Sequence, residues 1–384
     1  LTARAAVPAP AEGARLERLM LPATDAAGRA TLNRLGVAVP ALQLRTRPPN
    51  VFHDPALLQA ATALTGPIAL HWLERGGVPA ALVPVTWRRH GFGLLGRLPH
   101  GVGHSYGPAG TPAIAADLPA ADVARLLEAA RGGAAALVLP YLEQETPAVA
   151  VIVEAARLAG LGVWWTATHR RAGLDITAAG PDYFDRELSR KRRKEWQRQA
   201  RRLAEAGTIE HRVDRAPETL ATALADVVAL EAQGWKGRRG TALAFHAEGL
   251  AFAEAAVGAL GPRGAVRIDR LSLDGRTIAG LVSFVAAGRM WIWKTAYDEA
   301  EARFSPGVQL MLRVTTDLIG APGLRSADSL ATADHPMIDP LWTDRITVAT
   351  AILAPRRSPV GPLLAAEAAA HERARAMARR LLRR

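Results

Sequence analysis

At 384 residues the chain is long enough for two domains of ordinary size, and a hydrophobic fraction of 49% with near-neutral mean hydropathy places it among globular rather than disordered proteins. It has no cysteine, which excludes a disulfide framework, a thiolate zinc site, a cysteine nucleophile and thiol redox chemistry, and fits a reducing compartment. A formal net charge of +12 points to an anionic partner, but phosphate-bearing cofactors, acidic glycans, lipid headgroups and nucleic acid all answer that description.

In chain order, residues 1–50 are rich in Ala, Pro and Arg and read as a partly ordered lead-in. No run reaches the roughly eighteen apolar residues of a membrane span, and Leu1 to Pro10 lacks a long apolar core behind a basic start, so a cytoplasmic, soluble protein is expected. From Ile68, IALHWLE, VPAALVPVTW and FGLLGRL read as an antiparallel meander. The loop PHGVGHSYGPAGTP, Pro99 to Pro112, carries His100, His104, Ser105 and Tyr106 and reads as a cleft-shaping segment. Its two histidines have neither a helix nor a nearby carboxylate to make them a metal pair, and no metal is expected. A helix in LPAADVARLLEAA, a buried strand in AAALVLPYL, a helix over Pro147 to Leu158 and a strand in GVWWTATH complete a mixed α and β domain over 51–180.

The segment from Pro181 to Arg202 opens a second domain, 181–355, with a helix crowded by Arg190, Lys191, Arg192, Arg193, Lys194, Arg198, Arg201 and Arg202 over a thin apolar stripe of Leu188, Trp196, Ala200 and Leu203. It lacks interleaved aromatics or a nucleic-acid motif, so a solvated helix or the wall of an anion pocket is expected in preference to a nucleic-acid partner. Then come the strand TIEHRV, helices over Pro217 to Gln233 and His246 to Leu260, and three strands, AVRIDRLSL, RTIAGLVSFVA and MWIWKTAY, joined through Asp274-Gly275 and Ala287-Gly288. Arg289 to Tyr297 is the last of these. Ser305-Pro306-Gly307 follows as a helix start, with serine as N-cap and proline at the first position, and Val308, Met311, Leu312, Thr315 and Leu318 supply the stripe behind it. The N–H groups of such a start face whatever lies beyond the strand's carboxyl end, where a phosphate-bearing ligand fits. A short strand in LRSADSLA should lie parallel to Arg289–Tyr297 after a right-handed crossover. The tail, 356–384, reads as a basic helix with Leu363, Leu364, Met377, Leu381 and Leu382 against Arg373, Arg375, Arg379, Arg380, Arg383 and Arg384, and it is the element through which a membrane surface enters as a partner.

The motifs GWKGRRGTAL at 234–243, LDGRTIAGLVSF at 273–284, Tyr297-Asp298, Ser305-Pro306-Gly307, SADSL, and HPMIDPLW at 335–342, with YGPAGTP at 106–112, resemble the BioF2-like or CelD-like branch of the GNAT acetyltransferase superfamily, which is related to the Fem peptidyltransferases. The resemblance implies an α/β fold, mixed α+β, of two tandem GNAT-like acyltransferase domains, each a mostly antiparallel mixed sheet flanked by helices. It implies an acyltransferase that moves an acyl group, with acetyl expected, from acyl-CoA to an amine or hydroxyl of a small molecule or glycan, in polysaccharide or envelope metabolism. The superfamily's usual pyrophosphate signature, Gln/Arg-x-x-Gly-x-Gly/Ala, is absent as such: Arg303-Phe304-Ser305-Pro306-Gly307 keeps one glycine and a helix start. Aminoacyl-tRNA as a Fem-like donor, and a non-catalytic scaffold of polysaccharide assembly, therefore stay open as alternatives.

Acyl transfer needs a polarised carbonyl, an acceptor held in line and a base. In the GNAT fold backbone N–H groups near the strand opening serve the carbonyl, which here implies Thr295, Ala296 and Tyr297, with Ser305, Gly307 and Val308 on the cofactor. His335 is the expected base, with Asp328 as its orienter or the acceptor's anchor. Trp235, Lys236, Arg238, Asp298 and Trp342 are the expected acceptor contacts.

Overall fold

The computed structural model describes residues 13–381, which fall into two compact units: residues up to His169 together with those from Thr347, and Arg170–Ile346. The segment Leu1 to Pro10, on which the expectation of a soluble protein partly rests, and Leu382 to Arg384 of the tail lie outside the described residues.

The first unit runs through β1 (Ala14–Leu21), α1 (Ala26–Arg45), α2 (Pro55–Thr65), β2 (Ile68–Arg75), β3 (Val78–Arg89), β4 (Arg97–Gly101), the two-residue β5 (Ala113–Ile114), α3 (Ala120–Arg131), β6 (Leu137–Glu143), α4 (Pro147–Leu158) and the start of β7 (Leu161–Asp175). Residues 14–45 are more ordered than a lead-in. β1 pairs antiparallel with β2 over eight residues, and the Asp25 carboxylate caps α1 by accepting from the Gly28 N–H at 2.6 Å. The β2–β3 hairpin closes through Gly76 and Gly77, both at positive φ, as a tight hairpin requires. The expected strand FGLLGRL is shortened, because Gly91, Gly93 and Gly96 all adopt positive φ and only Arg97 onward pairs with β3. The loop after β4 packs down on β6. Its Gly110 lies so close that an added Cβ would come within 2.0 Å of the Pro140 carbonyl oxygen.

The second unit contains α5 (Tyr183–Glu187), α6 (Arg190–Glu205), β8 (Ile209–Asp214), α7 (Pro217–Gln233), the single turn α8 (Trp235–Arg238), α9 (Ala247–Leu260), β9 (Val266–Leu273), β10 (Arg276–Ala286), β11 (Arg289–Tyr297), α10 (Pro306–Ile319) and β12 (Ser326–Asp328). Its strands lie in the order β7, β12, β11, β10, β9, β8, antiparallel except for the β11–β12 pair. Asp274-Gly275 and Ala287-Gly288 make the two tight turns with both residues of each at positive φ. The core gathers around Trp342, Phe304, Leu310, Val314 and Leu318, with α10 across the sheet.

The chain then adds β13 (Asp344–Pro355), which pairs antiparallel with β6 within the first unit, and α11 (Val360–Leu381). Leu364 of α11 packs with Leu98, Val138 and Ile352. Glu367 of the same helix accepts from the N–H groups of Gly91 and Phe92 at 2.7 and 2.8 Å, so α11 is anchored on the first unit.

Candidate active site

The site begins with a parting of strands. β11 and β12 pair over only three residues, Arg289 to Trp291 against Ser326 to Asp328, while β11 continues to Tyr297. On its other edge a bulge between Val282 and Ser283 of β10 shifts the register opposite Trp293. The Thr295 carbonyl accepts from the Lys236 ammonium at 3.3 Å, so it faces the open edge. In an extended strand the N–H of a residue points the same way as its carbonyl, which aims the Thr295 N–H, and two residues on the Tyr297 N–H, into the opening.

Against that opening stands the start of α10. Pro306 occupies its first position, as the sequence predicts, but Ser305 does not cap with its hydroxyl. Its backbone is left-handed, φ 51, which turns the side chain away from the helix N–H groups. Among the described residues the N–H groups of Gly307 and Val308 have no acceptor, and both residues line a cavity of about 700 Å³. An added Cβ at Gly307 would project to 3.2 Å from Met337 Sδ and 3.7 Å from Tyr297 Cδ1, so glycine keeps this mouth open. Thr295, Ala296, Tyr297, Ser305, Trp235, Lys236 and His335 line the same cavity.

Local packing explains why α8 delivers Lys236 there. A Cβ on Gly237 would fall 1.7 Å from the Ala232 carbonyl oxygen, so glycine alone allows the chain to double back after α7. Lys236 Nζ then reaches Glu231 Oε1 at 2.6 Å, and Glu231 Oε2 accepts the Leu243 N–H at 2.7 Å. Burial by itself raises the Glu231 carboxyl, but Lys294, Lys236 and these hydrogen bonds outweigh it and hold the group below the usual carboxylate range. Burial pushes the Lys294 ammonium down from its ordinary value, with Glu231 opposing and Lys236 adding to the effect. Burial likewise pushes the His335 imidazole down, Asp339 opposing and Lys236 adding. At neutral pH His335 is therefore an uncharged ring able to accept a proton, and its buried Nδ1 has no hydrogen-bond partner among the described residues.

Four expected site residues stand apart from this lining. Asp328 is fully buried: its Oδ2 accepts from Arg171 at 2.7 Å and from Arg289 at 3.0 Å, and its Oδ1 accepts from the Leu330 N–H at 2.9 Å. A carboxylate so engaged neither orients His335 nor reaches an acceptor; it fixes the turn after β12. Trp342 is also fully buried, and its indole N–H donates to the Thr315 hydroxyl at 3.0 Å inside the core. Asp298 caps the turn that follows β11 through the Ala300 N–H and pairs with Arg276. Arg238 pairs with Glu299, which also holds the Trp235 N–H, so Arg238 is held outside the lining while Trp235 stays in it. Sequence reading misses Glu231, Lys294 and Glu299. A hint lies in the spacing of Glu231 and Lys236 across Gly234, while Lys294 passes for an ordinary strand residue. One trio, His211, Asp269 and Asp317, brings ligand atoms within 4.8 Å of one another. Arg267 already donates to both of its carboxylates at 2.6 to 2.8 Å, making it an ion-pair network.

Residues 190–335 match the family described as "Acetyltransferase (GNAT) domain". No curated protein matches the sequence. Among solved structures the fold is similar to the C-terminal domain (DUF2156) assigned to a lysylphosphatidylglycerol synthetase of Agrobacterium fabrum, with 13% identity, TM-score 0.55, and 88% of this chain and 96% of that chain covered. It is also similar to FemX, with 11% identity, TM-score 0.54, and 82% and 95% covered. A conserved protein of unknown function from Bacteroides thetaiotaomicron shares the fold at 10% identity and TM-score 0.50, with 86% and 98% covered. At these identities the likeness is one of fold.

Proposed function

We propose that the chain is a GNAT-type transferase that moves an acyl group from acyl-CoA to an amine or hydroxyl acceptor, a reading supported by the match of residues 190–335 to the GNAT acetyltransferase domain. The observation that carries this reading is the meeting, in one cavity, of the unpartnered N–H groups of Gly307 and Val308, the open edge of β11 and a neutral His335. Helix-start N–H groups suit the diphosphate of the donor. The N–H groups at Thr295 and Tyr297 suit the oxygen of its thioester carbonyl. The acceptor's nitrogen or oxygen attacks the carbonyl carbon, a C–N or C–O bond forms, and the C–S bond breaks with its electron pair leaving on sulfur. The acceptor's proton passes to the basic nitrogen of His335.

Titration calorimetry with acetyl-CoA and longer acyl-CoAs tests the donor. Micromolar binding is expected in the wild type and at least a tenfold loss in Gly307→Glu, whose carboxylate would enter the helix start. No binding to any acyl-CoA, or equal binding by the variant, overturns the assignment.

A second donor, aminoacyl-tRNA, draws support from α6. That helix packs on the 299–304 turn and on α10, and Gln309 Nε2 donates to the Trp196 carbonyl at 3.1 Å. Its Arg190, Lys191, Lys194, Arg201 and Arg202 are exposed, whereas Arg193 and Arg198 pair with Asp185 and Glu195. FemX and the lysylphosphatidylglycerol synthetase domain share the fold. Binding of charged tRNA that weakens steeply with salt, and is lost when Lys191, Lys194, Arg201 and Arg202 become glutamine, would favour this donor.

A further inference from the structure

The hairpin between β3 and β4 ends in a tip that the acyl-transfer site does not use. Phe92 and Leu94 stand on it 63% and 85% exposed, and Leu94 is the most exposed large apolar side chain among the described residues. The tip is folded rather than slack. The His90 N–H donates to the Gly96 carbonyl at 3.1 Å and the Leu94 N–H to the Gly91 carbonyl at 2.8 Å, while Leu95 turns inward and packs against Leu98, Val138, Ile352 and Leu364. A Cβ at Gly91 would fall 2.6 Å from Leu95 Cγ, so glycine there lets the loop close over Leu95. Phe92 has a left-handed backbone, φ 51, a costly conformation for a bulky residue, and its ring is still set outward, beside the His371 ring with centroids 5.9 Å apart. Folding alone gains little from such a residue, which points to something outside the chain.

α11 braces the tip from one side. Glu367 accepts the Gly91 and Phe92 N–H groups, and His371 and Arg375 follow at four-residue steps, which puts them on the same helix face. Arg89 and Arg97 are register partners at the neck of the hairpin. Arg89, Arg97 and Arg375 are exposed, and none of them is ion-paired among the described residues. Of the two carboxylates of α11, Glu367 is spent on the tip's N–H groups and Glu372 lies one step around the helix from that face. The result is an apolar knob inside a basic collar. A globular partner needs roughly 800 Å² a side for a stable contact, several times what two side chains supply, since even an aromatic one covers only about 150 to 250 Å². A bilayer needs no matching surface: apolar side chains enter the boundary between headgroups and acyl chains, and arginines rest on anionic headgroups.

We propose that this tip docks the first unit on an anionic bilayer surface, with Phe92 and Leu94 entering the interface and Arg89, Arg97 and Arg375 facing lipid phosphates. The contact differs from one made by the tail helix itself, whose Leu364 is already packed in the first unit. It stands independently of the acyl-transfer reading and is tested without turnover.

The test is co-sedimentation of the full chain with vesicles of phosphatidylcholine alone and with vesicles in which one third of the lipid is phosphatidylglycerol, at low and at physiological salt. The wild type is expected to bind the anionic vesicles at least tenfold more tightly than the neutral ones, and less tightly as salt rises. Phe92→Asn combined with Leu94→Ser should weaken that binding at least tenfold. Asparagine tolerates the left-handed backbone and both side chains are exposed, so the urea midpoint of this variant should not move. Arg89→Gln, Arg97→Gln and Arg375→Gln together should weaken binding as much and flatten its salt dependence. Depth is read with Leu94→Trp, whose added fluorescence should be quenched by lipids brominated on the acyl chain. No binding to anionic vesicles, equal binding by the Phe92→Asn, Leu94→Ser variant, or an unquenched Leu94→Trp overturns the proposal. Self-association of the wild type that the same variant abolishes, without vesicle binding, would assign the knob to a second copy of the chain and overturn it as well.

Discussion

His335 and Asp328 were both expected to take part in chemistry, and their surroundings separate them. Burial keeps His335 neutral at physiological pH, so a base role predicts that kcat/KM falls as pH drops through a pKa below the ordinary histidine value of about 6.5 and is flat above it. His335→Ala should lower kcat/KM by about 10² to 10⁴ and remove that acid limb; a variant that keeps both rate and limb would take the base role from His335. Asp328 is a stability residue. Burial alone raises its carboxyl, but Arg171 and Arg289 overcome this and hold it below the ordinary value. A depressed carboxyl contributes stability above its unfolded pKa and loses it as pH falls through the folded one. Asp328→Asn removes the negative charge that faces two buried guanidiniums and should cost about 3 to 5 kcal/mol in urea unfolding. Unchanged stability would contradict this account.

At the scale of elements, the site depends on how α7 hands over to α8 and how β11 hands over to α10. Gly237→Ala places a methyl against the Ala232 carbonyl, which must push α8 outward and carry Lys236 away from Glu231. We expect the variant to lose about 1 to 3 kcal/mol of stability and to raise KM for the acceptor more than for acyl-CoA, as steady-state kinetics would show. The tight turns of the β9–β10–β11 meander, the parallel placement of β12 and the Pro306 start of α10 were legible because turn residues and periodicity are local signals. β13 was not, since no local signal ties Asp344–Pro355 to its partner, β6, which lies about two hundred residues earlier. The loop from Pro99 to Pro112, with its family-like glycines, turned out to be packed, because Gly103 and Gly110 are drawn against β6.

At the scale of the molecule, the first unit carries a pH liability of its own. His53 and His100 are buried and neutral, burial pushing each down to about 3, with the Arg88 charge adding to the effect at His100. Between those values and about 6.5 the unfolded chain binds the extra protons, so stability is whole above pH 6.5 and declines as pH falls, by up to about 1.4 kcal/mol per histidine per pH unit. Urea midpoints measured from pH 7.5 to 4.5 should fall steeply, and His53→Leu should flatten the slope; a slope untouched by that substitution would remove His53 as its source. The tail helix is equally a matter of context. Read alone it is a basic amphipathic segment, yet Leu364 and Glu367 are buried in the first unit and Met377 is exposed, so its inner face is already occupied over its first turns. Among the described residues no single helix is long and apolar enough to cross a membrane.

The sequence by itself determined the order and kind of most elements, the two mixed α/β halves and the family-like edge at Arg289 to Thr316, because turns, caps and hydrophobic period act over a few residues. Only the tertiary structure decided which charged groups share a space. Asp328 meets Arg171 from 157 positions away, and that pairing turns an expected site residue into a core ion pair. Glu231, Lys236 and Lys294 converge because α7, α8 and β11 are packed together. Burial and charge balance depend on neighbours that no local pattern names, and here those neighbours decide which residues face the ligand.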